Sequence, residues 1–306
     1  MKSAPSPAEA TRGALAAALG YLAWGLVPLY WHQLASVSAT ELVAHRLVWS
    51  LVLVAAVLWW RGGFGEVRAA LVPGRSLAIN LLSSLLLTGN WLVYVWGVNH
   101  GHVIECSLGY FLVPLLNVAL GRWVLHEQLR PAQVIAIGLA VLGVAIQVWQ
   151  VGHLPWIALA LAVTFGGYGL LRKRSPLGPL TGLAVETTLL APAAAAFLVW
   201  HELKNGGALG HASVAVQALV LGTGVVTAIP LLLFAFGARR IRLTTLGLLQ
   251  YIAPTVQFIL GLAVFHEPFA RDRLLAFAVI WAGLVLYTVD NLRAQRARAG
   301  STPLQR

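Results

Sequence analysis

Two charged side chains stand inside stretches that otherwise hold almost only apolar residues. Arg46 lies about seven residues into one such run, beside His45 within ELVAHRLVWS (41–50). Glu186 lies about as deep in a later run and is followed by Thr187 and Thr188. A guanidinium at that depth of a membrane costs roughly 3 kcal/mol or more unless it pairs, snorkels or faces water. Arg46 is thus either a substrate-orienting or gating cation or one half of a structural ion pair, with Glu41 and Glu105 as candidate counter-charges. Glu186 is a candidate proton carrier, as intramembrane carboxylates in relays are. Its bland alternative is a neutral, hydrogen-bonded packing residue. Glu105 is a second candidate for the same proton role.

Uncharged polar residues add a pattern to these charges. Ser107, Tyr110, Pro114 and Asn117 fall at spacings of 0, 3, 7 and 10, one face of a helix. Further on, Gly247, Gln250, Pro254 and Gln257 repeat that spacing, with Tyr251 and Thr255 beside them. A proline frees a carbonyl one turn back, and such a carbonyl can serve a ligand or a water. Interhelical hydrogen bonding, worth roughly 0.6–2 kcal/mol per contact, is the alternative use of such stripes. Asn90, Trp91 and Tyr94 form a third polar and aromatic group, Tyr21 and Trp24 a fourth, and Tyr168 stands alone in a sixth apolar run. Aromatic faces supply contact area and amides supply direction, so together they suit a partly apolar organic solute. The chemistry implied is binding rather than bond breaking. No phosphate-cradling Walker loop, H-E-x-x-H pair or dinucleotide fingerprint occurs, and the single Cys106 matches no metal spacing. No cofactor is implied beyond coupling to a proton gradient through Glu186 or Glu105.

The elements that must position these residues follow from composition. Apolar residues make up 59% of the 306, charged residues only 10%, and mean hydropathy is +0.79. A soluble domain carries about 25% charged residues. Charge here punctuates apolar runs at about 13–31, 39–59, 77–97, 103–120, 131–149, 155–171, 179–199, 214–236, 245–264 and 272–289. Each is long enough to approach roughly 30 Å of hydrocarbon, and all exceed a barrel strand. The expectation is an all-α membrane protein of ten transmembrane helices with the lipid bilayer as its solvent. The net charge of +11 does not imply nucleic acid as a partner, because the basic residues sit at the ends of apolar runs rather than on one face. Seventeen Lys and Arg fall on one side of the expected topology and three on the other, which places both termini in the cytoplasm.

An internal repeat refines this reading. SLGYFLVPLLNVALGRWVLHE (107–127) and GLLQYIAPTVQFILGLAVFHE (247–267) agree at seven of 21 positions, among them Pro114/Pro254, Gly121/Gly261, His126/His266 and Glu127/Glu267. The offset of 140 residues holds five spans, an odd number, so the second copy enters the membrane from the opposite side. The expected organisation is a cytoplasmic segment (1–12), two inverted five-helix repeats (13–150 and 151–290) and a basic tail (291–306). Inverted repeats give two near-equivalent packings, the basis of alternating access. Small residues at 132, 136, 140, 143, 276, 278 and 283 suit close packing in the fifth and tenth spans, as bundle support or as a homodimer contact.

The segments GYLAWGLVPLYW (20–31), ELVAHRLVWS (41–50), GNWLVYVWGVNHGHVIECSLGYFLVPLLNVALGRWVLHEQL (89–129) and GLLQYIAPTVQFILGLAVFHEPF (247–269) carry a specific combination of motifs. In these the chain resembles the RarD family of EamA-type transporters, within the drug/metabolite transporter superfamily. The resemblance implies ten helices in two inverted halves, both termini cytoplasmic, and a cavity lined by helices 1–4 and 6–9 while 5 and 10 stand aside. It also carries an association with chloramphenicol sensitivity, which names a phenotype and not a substrate. The reading is a secondary transporter in the inner membrane, exporting a small organic metabolite, an amino-acid-like compound or a drug. A transporter-like sensor or lipid translocator is the alternative.

Overall fold

The computed structural model describes residues 6–100, 102–151, 154–265 and 271–300, and these residues are helical almost throughout. The long helices are α1 (Pro7–His32), α2 (Ala39–Arg61), α4 (Arg75–Asn99), α5 (Val103–Trp123), α6 (Pro131–Val151), α7 (Trp156–Arg174), α8 (Pro179–Asn205), α10 (Val214–Ala238) and α13 (Arg271–Gly300). Three short helices, α3 (Phe64–Ala70), α9 (Ala208–His211) and α11 (Leu243–Leu249), lie between them, and α12 (Ile252–Ala263) follows α11 directly. Eight stretches among the described residues are long and apolar enough to cross a membrane, one of them spanning the α11–α12 pair. The chain is an all-α, multi-pass membrane protein. Lipid explains its surface, where Leu, Val and Ile side chains stand exposed along the helices and Trp59, Trp60 and Trp149 mark helix ends.

Helix ends follow local chemistry. Ser6 and Glu9 form a capping box that starts α1, and Ser38 and Ser213 accept backbone N–H bonds at the starts of α2 and α10. Gly62 stops α2 in the left-handed region at φ 67°, where a side chain would be strained. Prolines inside α1, α5, α8 and α10 are absorbed without ending those helices. Elsewhere the sequence expectation needs correction. Both α1 and α13 run beyond 13–31 and 272–289, because polar, helix-compatible turns (7–12 and 290–300) extend them past the apolar stretch. The expected ninth span, 245–264, is interrupted at Gln250 and Tyr251, four residues before Pro254. A proline has no N–H to give the preceding turn, and the helix there tightens into shorter-range bonds such as Tyr251 N to Leu248 O.

The bundle is assembled from helix pairs. Helix α1 packs on α10, α2 on α8 and α10, α4 and α5 on α7, and α5 on α11. Helices α6 and α13 pack on each other, with Gly143 against Ala276 and Ile280, and Gly283 against Ala136 and Leu139. The small-residue faces are thus used within one chain. Gly224 of α10 meets the backbone of Trp49 so closely that a side chain there would collide with it, which draws α2 and α10 together next to Arg46. His266 and Glu267 of the repeat lie outside the described residues.

Candidate functional site

A cavity of about 340 Å³ opens among α1, α2, α4, α5, α7, α10 and the α11–α12 junction. Its walls come from the last turns of α1 (Trp24, Pro28, Trp31), the start of α2 (Val43, Arg46), the last half of α4 (Leu87, Asn90, Trp91, Tyr94) and the upper part of α5 (Tyr110). It therefore occupies the end of the bundle where α1 passes to α2 and α4 to α5. Neither α6 nor α13 contributes a wall residue. Of the residues singled out by sequence, Tyr21, Trp24, Arg46, Asn90, Trp91, Tyr94, Tyr110, Gln250 and Gln257 border this space.

Among the described residues Arg46 is the single charged residue of the cavity wall. Its Nε donates to Thr227 Oγ1 of α10 at 2.9 Å, and its guanidinium lies 4.4 Å from the Trp91 ring centre and 5.2 Å from that of Trp31. Indole faces stabilise a desolvated cation by about 2 kcal/mol. Among the described residues no carboxylate stands within ion-pair reach of it, which corrects the expectation of Glu41 or Glu105 as its partner. Glu41 is buried and engaged elsewhere: Oε1 accepts from Ala208 N at 2.7 Å and lies 3.6 Å from His45 Nε2, while Oε2 lies 3.4 Å from His201 Nε2. His45 also receives the Trp49 indole N–H at Nδ1. His45 thus belongs to a latch joining the start of α2 to the end of α8. Glu105 lies 3.4 Å from His102, the residue that precedes its own helix.

Amides of the cavity are partly committed. Asn90 Nδ2 donates to Leu161 O and Thr164 Oγ1 of α7, and Gln257 Nε2 donates to Trp24 O. Gln250 Oε1 accepts from Asn117 Nδ2 at 3.1 Å, so Asn117 sits behind the wall and fixes the α5–α11 contact. Tyr251 donates to Phe111 O, and Thr255 accepts from the Trp281 indole; both serve interhelical bonding. Ser107 side-chain placement is outside the described set.

Glu186 lies toward the opposite end of the bundle and does not border the cavity. It is fully buried, accepting from Ser83 Oγ at 2.6 Å, Tyr168 OH at 3.4 Å and Arg172 Nη1 at 3.4 Å. Glu186 is therefore an ion-paired carboxylate, and Arg172, one of the basic residues at the ends of apolar runs, is turned into the bundle. Arg172 is 1% exposed and also reaches the carbonyls of Gly178 and Pro179. Tyr168 belongs to this network rather than to the cavity wall. Between the two sites stands an aromatic plug of Tyr21, Trp24, Phe165, Tyr168 and Phe234, with ring centres 5.6–6.1 Å apart. Sequence reasoning missed Thr227, Phe165 and Phe234, which lie in apolar runs without a distinguishing signal. Trp31 was visible as a motif residue but not as a partner of Arg46.

The profile of the EamA-like transporter family matches residues 11–149 and again 154–289. The chain belongs to that family. Among its relatives, the uncharacterized transporter YojE of Bacillus subtilis is 41% identical over 95% of this chain and 98% of its own length. The protein RarD of Streptomyces exfoliatus is 43% identical over 91% and 89%. A crystal structure superimposes with a TM-score of 0.69 over 90% of this chain and 97% of the other, at 23% identity, which shows a shared fold. EamA and RarD relatives place the chain among small-molecule membrane transporters and not among enzymes.

Proposed function

We propose that this chain is a secondary transporter of ten spans in two inverted five-helix repeats, which moves a small organic solute by alternating access. Adding α5 and α7 to the eight apolar stretches, with α11 and α12 taken as one broken span, gives ten. The two successive family matches support the division into halves. The observation that carries the reading is the membrane-embedded cavity around Arg46, walled by helices of both halves and closed at one end by the aromatic plug and the Glu186 network. With both termini in the cytoplasm of a bacterial-type inner membrane, that cavity opens toward the exterior and the ion pair closes the cytoplasmic end. Export then requires the opposite packing, in which the plug parts and the outer ends of the helices close over the cavity.

Two measurements test this. In a Cys106→Ser background, Ala35→Cys and Lys204→Cys, at exposed positions, should react with an impermeant thiol reagent from outside, and Gly65→Cys and Arg174→Cys should not; equal labelling from both sides would reject the orientation. Purified protein in sealed vesicles should exchange labelled solute from a broad metabolite set against unlabelled solute, saturably. Binding without exchange would favour a sensor, and exchange of lipid alone would favour a lipid translocator.

A further inference from the structure

Resting on the transporter reading, we propose that the cavity selects an organic monoanion: a single carboxylate head bound by Arg46, carried on an aromatic or apolar body. The first observation is an uncompensated charge. Arg46 is fixed from two sides, by Thr227 at Nε and by the Trp91 and Trp31 faces, while its Nη1 and Nη2 make no hydrogen bond among the described residues. These two donors form the planar fork that matches a carboxylate in bidentate geometry. Among the described residues no acidic side chain borders the cavity, so an ammonium or guanidinium substrate would meet a like charge with no described carboxylate to hold it.

A second observation is independent of the arginine. Tyr21 is 1% exposed, borders the cavity, and its hydroxyl has no hydrogen-bond partner. A buried unpartnered hydroxyl costs about 1–3 kcal/mol; the atom itself is covered, so a solute reaches it only as the aromatic plug that holds Tyr21 parts. The first turn of α12 (Ala253, Pro254) borders the same space and adds apolar surface to it.

Size and charge count narrow the class. One cation balances one negative charge, so a dianion would leave a charge unpaired in a low-dielectric wall. About 340 Å³ holds a solute of one or two rings, and the rest of the wall is indole, phenol and aliphatic surface with the partly committed amides of Asn90, Gln250 and Gln257. An amphipathic monocarboxylate matches both the guanidinium fork and the apolar surface, whereas its amide offers the fork one neutral acceptor.

The test uses the purified full-length protein and three matched sets of acid, primary amide and amine: phenylacetate, 3-phenylpropionate and indole-3-acetate with their uncharged and cationic counterparts. Binding is read by the rise in thermal unfolding temperature against concentration, and exchange by counterflow in vesicles. At pH 7 at least one acid should bind tenfold or more tightly than its amide, with the amine weaker still. Arg46→Ala should bring acid and amide within threefold of each other, and Arg46→Lys should fall between. Thr227→Val, which keeps the charge but frees Nε, should lower acid affinity while leaving the amide unchanged. Equal affinity for acid and amide across all three sets in the wild-type protein, or no binding of any acid, overturns the monoanion proposal. If acids bind selectively but no solute exchanges, the substrate class stands and the transporter reading fails; if neutral solutes exchange without acid preference, the reverse holds.

Discussion

Arg46 and Glu186 occupy equivalent places at the offset of 140 residues that relates the two halves, yet their surroundings differ in kind. Glu186 has its charge answered within the chain by Arg172, Ser83 and Tyr168 and is sealed from solvent. Arg46 has aromatic faces and one hydroxyl around it, no carboxylate, and an open cavity in front. Two helix contacts correspond as well: α2 meets α10 through Arg46 and Thr227, and α4 meets α8 through Ser83 and Glu186. One pair of the related contacts is closed and self-satisfied while the other faces open space. Such an asymmetry between related halves is what alternating access requires of any single state. It also separates stability from binding: the closed side should carry the first and the open side the second.

The largest expected effect breaks the closed side. Arg172→Met leaves Glu186 buried without its cation, and removal of one partner of such a pair costs about 3–5 kcal/mol. Thermal unfolding in detergent should show a drop of many degrees, and Glu186→Gln added to Arg172→Met should restore part of it. A proton carried by Glu186 would instead show in Glu186→Gln as lost gradient-driven accumulation with counterflow intact. With the Glu186–Arg172 pair closing the cytoplasmic end instead, accumulation and counterflow fall together.

A smaller effect sharpens the open side. Gly224→Val would push α10 away from the Trp49 backbone, at about 1–3 kcal/mol of overpacking, and would carry Thr227 away from Arg46. Unfolding temperature and acid affinity should both decrease. Smaller again is Glu127→Ala. The Glu127 carboxylate accepts from Leu243 N, Thr244 N and Thr244 Oγ1, capping the start of α11. Losing a cap costs about 1 kcal/mol, so the unfolding temperature should fall slightly while acid-over-amide selectivity is kept.

How far the sequence foretold these contacts depended on the kind of signal. Arg46 stood out because a charge inside an apolar run is costly, and that cost exists whether or not its neighbours are known. The membrane class and the helix order were legible for the same reason, since burial in lipid is written residue by residue. Arg172 was not legible, because in RKR at the end of α7 it reads as loop punctuation; only the tertiary approach of α8 turns it inward. Thr227 was equally silent, as one more hydroxyl among Val and Ala. Glu127 was noticed as half of a repeated His-Glu pair, but its role as a cap needed the position of α11. The stripe at Tyr110, Asn117, Gln250 and Gln257 was found as a pattern, yet it divides into cavity wall and interhelical bonding only when the helices are packed.

The most direct test of the division between the two sides is a paired measurement on Arg46→Ala and Arg172→Met, in which unfolding temperature and initial counterflow rate are recorded for each. For Arg46→Ala the lost cation–π contacts, about 2 kcal/mol, are offset by removal of an uncompensated charge. The account predicts an unfolding temperature close to wild type for Arg46→Ala with counterflow of a carboxylate solute reduced at least tenfold, and a large fall in unfolding temperature for Arg172→Met. A large stability loss in Arg46→Ala together with an unchanged counterflow rate per folded molecule would contradict it.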